Sequence, residues 1–263
     1  MNDPQPAPAI AGKHAGKHAG DLTSFPPGGV AVVIGATGAI GGALAEHLSE
    51  GGHFSTVIGL SRSGTPALDL TSEDSIAKAA ESVAAHALPL RLVIDATGFL
   101  HDSEDASENM ANNMPEKTWR DLDAGRLAHA FAVNTIGPAL LMKHFLPLLA
   151  RDGKAVFATL SARVGSIGDN QLGGWYGYRA SKAALNQMVR TAAIELKRRS
   201  PAAICVALHP GTVESGLSAP FARSGLDVRP PGQAAAELLA VIGSLTAADT
   251  GSFFDYRGAQ PPW

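Results

Sequence analysis

Hydrophobic residues recur along this chain as short β-branched or aliphatic runs, separated by longer stretches with helical spacing. The first run, Val30-Ala31-Val32-Val33-Ile34, is apolar at every position, the pattern of a strand buried on both faces. Comparable runs lie at 56–60, 91–96, 155–160, 202–208 and 252–255. Between them the spacing predicts helices over 43–50, 73–87, 121–150, through Tyr178 to about residue 199, and 233–245. Strands alternating with helices predict an α/β fold. The expected form is a single-domain, Rossmann-like, doubly wound parallel sheet with helices on both faces and ligands at the carboxyl ends of its strands.

Residues 1–27 break this pattern. They are rich in Pro, Ala and Gly, contain a short Ala-Gly-Lys-His repeat, and offer too little apolar surface to pack, so they read as a flexible tail before a domain spanning 28–263. His14 and His18 have a spacing that suits a metal on a helix, but the glycines around them disfavour that helix and no metal site is expected. Residues 99–118, 162–175 and 214–230 read as loops that would wall a substrate site.

At 263 residues with 45% hydrophobic content, the chain can bury one large core. A net charge of -3, spread along the chain, gives no sign of affinity for nucleic acid or anionic lipid, which leaves a small molecule as the expected partner. The single cysteine, Cys205, sits in an apolar run, allows no intramolecular disulfide and points to a reducing compartment. No apolar stretch approaches the roughly 18 residues of a spanning helix, and the N-terminus lacks the apolar centre of a signal peptide. A cytoplasmic protein without membrane attachment is expected.

The candidate chemistry sits where strands end. Val30 to Ile34 leads straight into Gly35-Ala36-Thr37-Gly38-Ala39-Ile40-Gly41-Gly42 and then a helix, an arrangement that brings backbone and helix N–H groups against a pyrophosphate. The second strand ends in Ser61-Arg62-Ser63, with no carboxylate for ribose hydroxyls and a guanidinium suited to a phosphate. The third ends in Asp95-Ala96-Thr97-Gly98, the fourth in Ser161, the fifth in His209-Pro210-Gly211-Thr212-Val213. Tyr178 and Lys182, four residues apart, share one helix face, so an ammonium stands near a phenol and is expected to lower its pKa. Tyr176 points elsewhere on that helix.

From Val30 nearly to the C-terminus these features, in order and approximate spacing, resemble the short-chain dehydrogenase/reductase family. Gly173 to Lys182 and the ending Phe254-Asp255-Tyr256-Arg257-Gly258 through Trp263 resemble its C-factor-like branch. The resemblance implies a catalytic set of Asn134, Ser161, Tyr178 and Lys182: Tyr178 as acid/base, Lys182 lowering its pKa and holding the nicotinamide ribose, and Ser161 on the carbonyl oxygen. Asn134 would lie at a local irregularity in its helix. The implied cofactor contacts come from Gly35, Thr37, Gly38, Ile40, Gly41, Ser61, Arg62, Asp69, Leu70, Ala96, Thr97, Gly98, Tyr178, Lys182, Pro210, Gly211 and Val213. NADP(H) is expected over NAD(H), because of Ser61-Arg62, with Asp69 placed for the adenine amino group.

Three departures from the family pattern stand out. The glycines fall at 35, 38 and 41, with Ala39 and Ile34 where Gly and Thr are usual. Asp95-Ala96-Thr97-Gly98 replaces the usual Asn-Asn-Ala-Gly. Ser161 precedes Tyr178 by 17 residues, more than the common gap, so Ser166 is a second candidate in a loop. The resemblance also implies a homodimer or homotetramer through the helices near Asn134 and after Tyr178, with Leu140, Leu141, Phe145, Met188 and Ala192 forming an outward stripe. A cofactor-binding signalling or sensor protein with little turnover is the alternative function; an epimerase or dehydratase of sugar nucleotides is a third.

Overall fold

The computed structural model describes residues 21–101, 114–220 and 228–263. Among them, six parallel strands form one sheet: β1 (Val30–Ile34), β2 (Thr56–Leu60), β3 (Leu90–Asp95), β4 (Ala155–Leu160), β5 (Ala203–His209) and, after a two-strand ribbon of β6 (Thr212–Val213) and β7 (Val228–Arg229), β8 (Phe253–Asp255). The spatial order is β2-β1-β3-β4-β5-β8. The chain therefore leaves β1 to one side, returns across it and continues on the other, which opens a crevice between the carboxyl ends of β1 and β3.

Alternation along each strand divides the core. Val30, Val32 and Ile34 face one layer, with Val93, Phe157 and Cys205; Ala31 and Val33 face the other, with Ile94, Val156 and Leu208. Against the first layer pack α2 (Glu73–Ala84), α4 (Gly137–Phe145) and α5 (Tyr176–Arg199), and against the second α1 (Ala39–Gly51) and α6 (Pro231–Ser244). Burial pushes the Cys205 thiol up to about 12, so it stays protonated and inert.

Most predicted elements recur with shifted ends; α1 starts at Ala39, inside the glycine loop, because helical N–H groups begin there. The single helix expected over 121–150 is instead broken into segments of different winding, ending in a 3-10 turn at Leu146–Leu148. α3 (Ala124–Phe131) runs into a π-helical turn, Ala132–Ile136, and then into α4. The irregularity expected at Asn134 is this turn. Before residue 28, Leu22 and Phe25 are buried in the second layer, Phe25 edge-on to Phe54 with centroids 5.6 Å apart. Residues 1–20, with His14 and His18, lie outside the described residues.

The expected outward stripe is corrected. Leu141 and Phe145 are fully buried, and Leu140 and Ala192 pack against the same core, because the apolar positions of α4 and α5 are spent on the sheet. Ile136, Met188 and Ile194 are the large apolar side chains these segments expose. Among the described residues no helix is long and apolar enough to cross a membrane.

Candidate active site

The glycine loop closes on itself. Gly35, at φ +83°, turns the chain after β1, and a Cβ on Gly41 would stand 2.7 Å from the Gly35 carbonyl carbon and closer still to its oxygen. A side chain at 41 would push the loop away from the crevice. Gly38 caps α1 without any side-chain hydrogen bond, and no acidic residue occupies the helix's first turn. Uncapped N–H groups and the positive end of the helix dipole therefore face the β1/β3 crevice, a setting that fits a dinucleotide pyrophosphate. The Gly35, Gly38, Gly41 spacing forms this cradle with Ala39 in place.

At the end of β2, Arg62 and Ser63 are exposed and Ser61 is half-buried, its hydroxyl 3.5 Å from that of Ser63. Asp69 is also exposed. Its Oδ1 accepts from the Thr71 N–H and hydroxyl at 2.8 Å each, and these bonds, with the Arg62 guanidinium, hold its carboxyl below the usual range. Leu70 is buried against the sheet, and Val213 is buried too, so each has only backbone to offer a cofactor.

The third strand end is a buried polar knot. Asp95 is fully buried; its Oδ1 accepts from the Thr97 N–H (3.1 Å) and hydroxyl (2.5 Å), and its Oδ2 from the Thr159 hydroxyl (2.7 Å). Three residues on, a Cβ at Gly98 would lie 3.8 Å from Lys182 Nζ and 3.9 Å from Asn134 Oδ1. Asn134 clamps the next residue, accepting from the Phe99 N–H and donating to its carbonyl, both at 2.8 Å. The amide also donates to Ser181 Oγ (3.1 Å), beside Lys182.

Ser161 ends β4 and donates to Asn186 Oδ1 at 2.6 Å. Ser166, the other candidate, spends its hydroxyl on the Asp169 N–H within its loop. Tyr178, Lys182 and Asn186 follow at intervals of four on one face of α5, a spacing that would have revealed Asn186 from the sequence. Lys182 is buried, and its Nζ donates to the Leu160 carbonyl at 2.8 Å.

The expected effect of Lys182 on Tyr178 is corrected. The ammonium lies 6.0 Å from the phenol ring centroid and is bound to a carbonyl, while burial pushes the Tyr178 phenol up to about 12. Burial pushes Lys182 itself down to about 8, against the pull of Asp95. Desolvation outweighs the attraction between the two groups because both have left water.

Two further residues hold α5 in place. Gly173, Gly174 and Trp175 form a left-handed run, at φ +65°, +67° and +52°, leaving the helix start without a local cap. Glu116 supplies one from a distance: its carbonyl accepts from the Trp175 N–H (2.6 Å) and its carboxylate from the Gly177 N–H (3.2 Å). Arg179 then donates to the carbonyls of Gly174 (2.9 Å), Val164 (3.2 Å) and Gly173 (3.2 Å), tying both ends of the loop between Ser161 and Tyr178. A cavity of about 150 Å³ opens beside Tyr178, lined by Phe99, Met114, Glu116, Arg126 and His129 among others. Arg229 of β7 stacks 3.2 Å from the Tyr256 ring centroid, ion-pairs with Glu237 at 3.4 Å and abuts Gly211, just past the end of β5.

A family profile described as short chain dehydrogenase matches residues 29–224. The chain belongs to that family. This short-chain dehydrogenase is 36% identical to the C-signal protein of Myxococcus xanthus over 143 residues, 54% of this chain and 82% of that one. It is 30% identical to the 1-hydroxy-2-glutathionyl-2-methyl-3-butene dehydrogenase of Rhodococcus sp. (strain AD45) over 198 residues, 75% of this chain and 79% of that one. Its fold superposes on the NADPH-bound carbonyl reductase from chicken fatty liver with a TM-score of 0.74 and 25% identity, covering 89% of this chain and 98% of that one. This dehydrogenase is accordingly an oxidoreductase of the NAD(P)-dependent kind, built on the Rossmann sheet read from its strands.

Proposed function

We propose that the protein is an NADPH-preferring reductase of a small carbonyl compound, or dehydrogenase of the matching alcohol, working in the cytoplasm as a homodimer or homotetramer. The observation that carries this reading is a chain of contacts: Lys182 bonds the Leu160 carbonyl next to Ser161, Ser161 bonds Asn186 on the helix of Tyr178, and Lys182 and Asn134, from the π-helical turn, both lie by Gly98, one residue from the Thr97 that borders Gly35. The bound nicotinamide cofactor would supply hydride chemistry.

The protein's own groups do the rest. The Gly35, Thr37, Gly38, Ile40 and Gly41 cradle takes the pyrophosphate, Ser61 and Arg62 the adenosine phosphate, and Asp69 and Leu70 border the adenine. Ala96, Thr97 and Gly98, with Pro210, Gly211 and Val213, line the nicotinamide half. Tyr178 donates a proton to the carbonyl oxygen, and its high resting pKa keeps that proton in place until a substrate needs it. Lys182 bonds the ribose, and Ser161 steadies the developing alkoxide.

Support for NADPH comes from the exposed Arg62 at the end of β2 and from the NADPH-bound carbonyl reductase of chicken. Self-association rests on the exposed Ile136, Met188 and Ile194. Likeness to C-signal favours a second reading, a cofactor-binding signalling protein with little turnover. A panel of aldehydes, ketones and quinones assayed with NADPH and NADH separates the two. Turnover faster with NADPH, with Arg62→Ala weakening NADPH about ten- to a hundredfold and sparing NADH, is expected; equal use of both cofactors refutes the preference, and no turnover on any member favours the signalling reading.

A further inference from the structure

Successive residues of β4 hold a carboxyl group and an ammonium. The Thr159 hydroxyl donates to Asp95 Oδ2, and the next carbonyl, that of Leu160, accepts from Lys182 Nζ. Asp95 pairs with Thr159 across the β3/β4 ladder, so the carboxyl and the ammonium are held from neighbouring residues of β4, without direct ion-pair contact but within electrostatic reach of each other. Both side chains are almost wholly buried. Among the described residues, the other groups placed near Lys182 are neutral: the Leu160 carbonyl from β4, the Asn134 amide from the π-helical turn, and the Tyr178 phenol on its own helix.

We propose that Asp95 is a positioning residue that keeps Lys182 charged inside the site. A buried ammonium bound to one carbonyl loses most of its hydration, and the carboxyl group that acts on it electrostatically is that of Asp95. Three donors, the Thr97 N–H and the two threonine hydroxyls, favour the ionised form of Asp95 against the burial that raises its pKa. Where the family pattern has an uncharged Asn, this chain places a charge whose range includes the catalytic lysine.

This inference rests on the role given to Lys182 above, and its test reads the lysine directly. In cofactor-free protein, trace acetylation of Lys182 is followed by peptide mass spectrometry as a function of pH, in the unaltered chain and in Asp95→Asn. The alkaline limb of kcat/KM is recorded on the same proteins. An opposite charge raises a lysine's pKa, so its loss lowers the pH at which Lys182 gives up its proton. The labelling midpoint, near the value of about 8 that burial sets, is expected to fall by about one pH unit or more in Asp95→Asn, and the alkaline limb to fall with it. Thr159→Val, which removes one donor from Asp95, is expected to move the midpoint the same way by less, and serves where Asp95→Asn does not fold. An unchanged midpoint in a folded variant overturns the proposal. Absence of turnover in the unaltered chain would instead count against the role of the site, and the labelling midpoints would still decide that of Asp95.

Discussion

Ser161 Oγ lies 2.6 Å from Asn186 Oδ1, and the two side chains are buried together. The hydroxyl is thus oriented by a residue two turns beyond Tyr178. Asn186 Nδ2 is buried without a hydrogen-bond partner, so the amide is held by Ser161 alone. Asn186→Leu is expected to reduce kcat about tenfold, less than the 10²–10³ typical of deleting an oxyanion donor, with cofactor affinity unchanged. Stopped-flow turnover alongside cofactor fluorescence titration checks it.

Tyr178→Phe removes the proposed proton donor and almost no volume. Turnover is expected to fall by about 10²–10⁴ while the fold and NADPH binding persist. Steady-state assays with fluorescence titration decide this, and substantial retained activity would remove Tyr178 from the mechanism.

Arg179 ties three backbone carbonyls on both ends of the loop between Ser161 and Tyr178. Lysine has a single ammonium and cannot reproduce that fork. Arg179→Lys is expected to raise substrate KM several-fold with a smaller change in kcat, and to speed hydrogen exchange between residues 163 and 175. The split between KM and kcat distinguishes loop placement from a general loss of stability, which would cost about 1–3 kcal/mol in a melting curve.

Gly41→Ala places a methyl against the Gly35 carbonyl, whereas a Cβ at Gly42 would meet the Ala36 oxygen at an ordinary 3.4 Å. Gly41→Ala is expected to weaken cofactor binding by about tenfold or more, with Gly42→Ala close to unaltered. Isothermal titration of both variants tests the pair. Equal losses would show that the cradle is not set by close backbone approach.

Much of this protein is determined by its sequence alone. Continuous apolar runs specify strands buried on both sides, and their alternation with helical periods leads to the parallel sheet, because such strands need a helix layer on each face. The glycine loop directly after β1, and the four-residue step from Tyr178 to Lys182, are likewise local facts. The tertiary structure decided what depends on distant neighbours. Glu116 caps α5 from 61 residues away, Leu22 and Phe25 join the core, and Leu141 and Phe145 turn inward, none of which spacing along one segment specifies. The same holds for charge. Spacing puts Lys182 near Tyr178, but whether the ammonium tunes the phenol depends on how much water each has lost and on which carbonyl or carboxylate lies closer, and those are properties of the packed site.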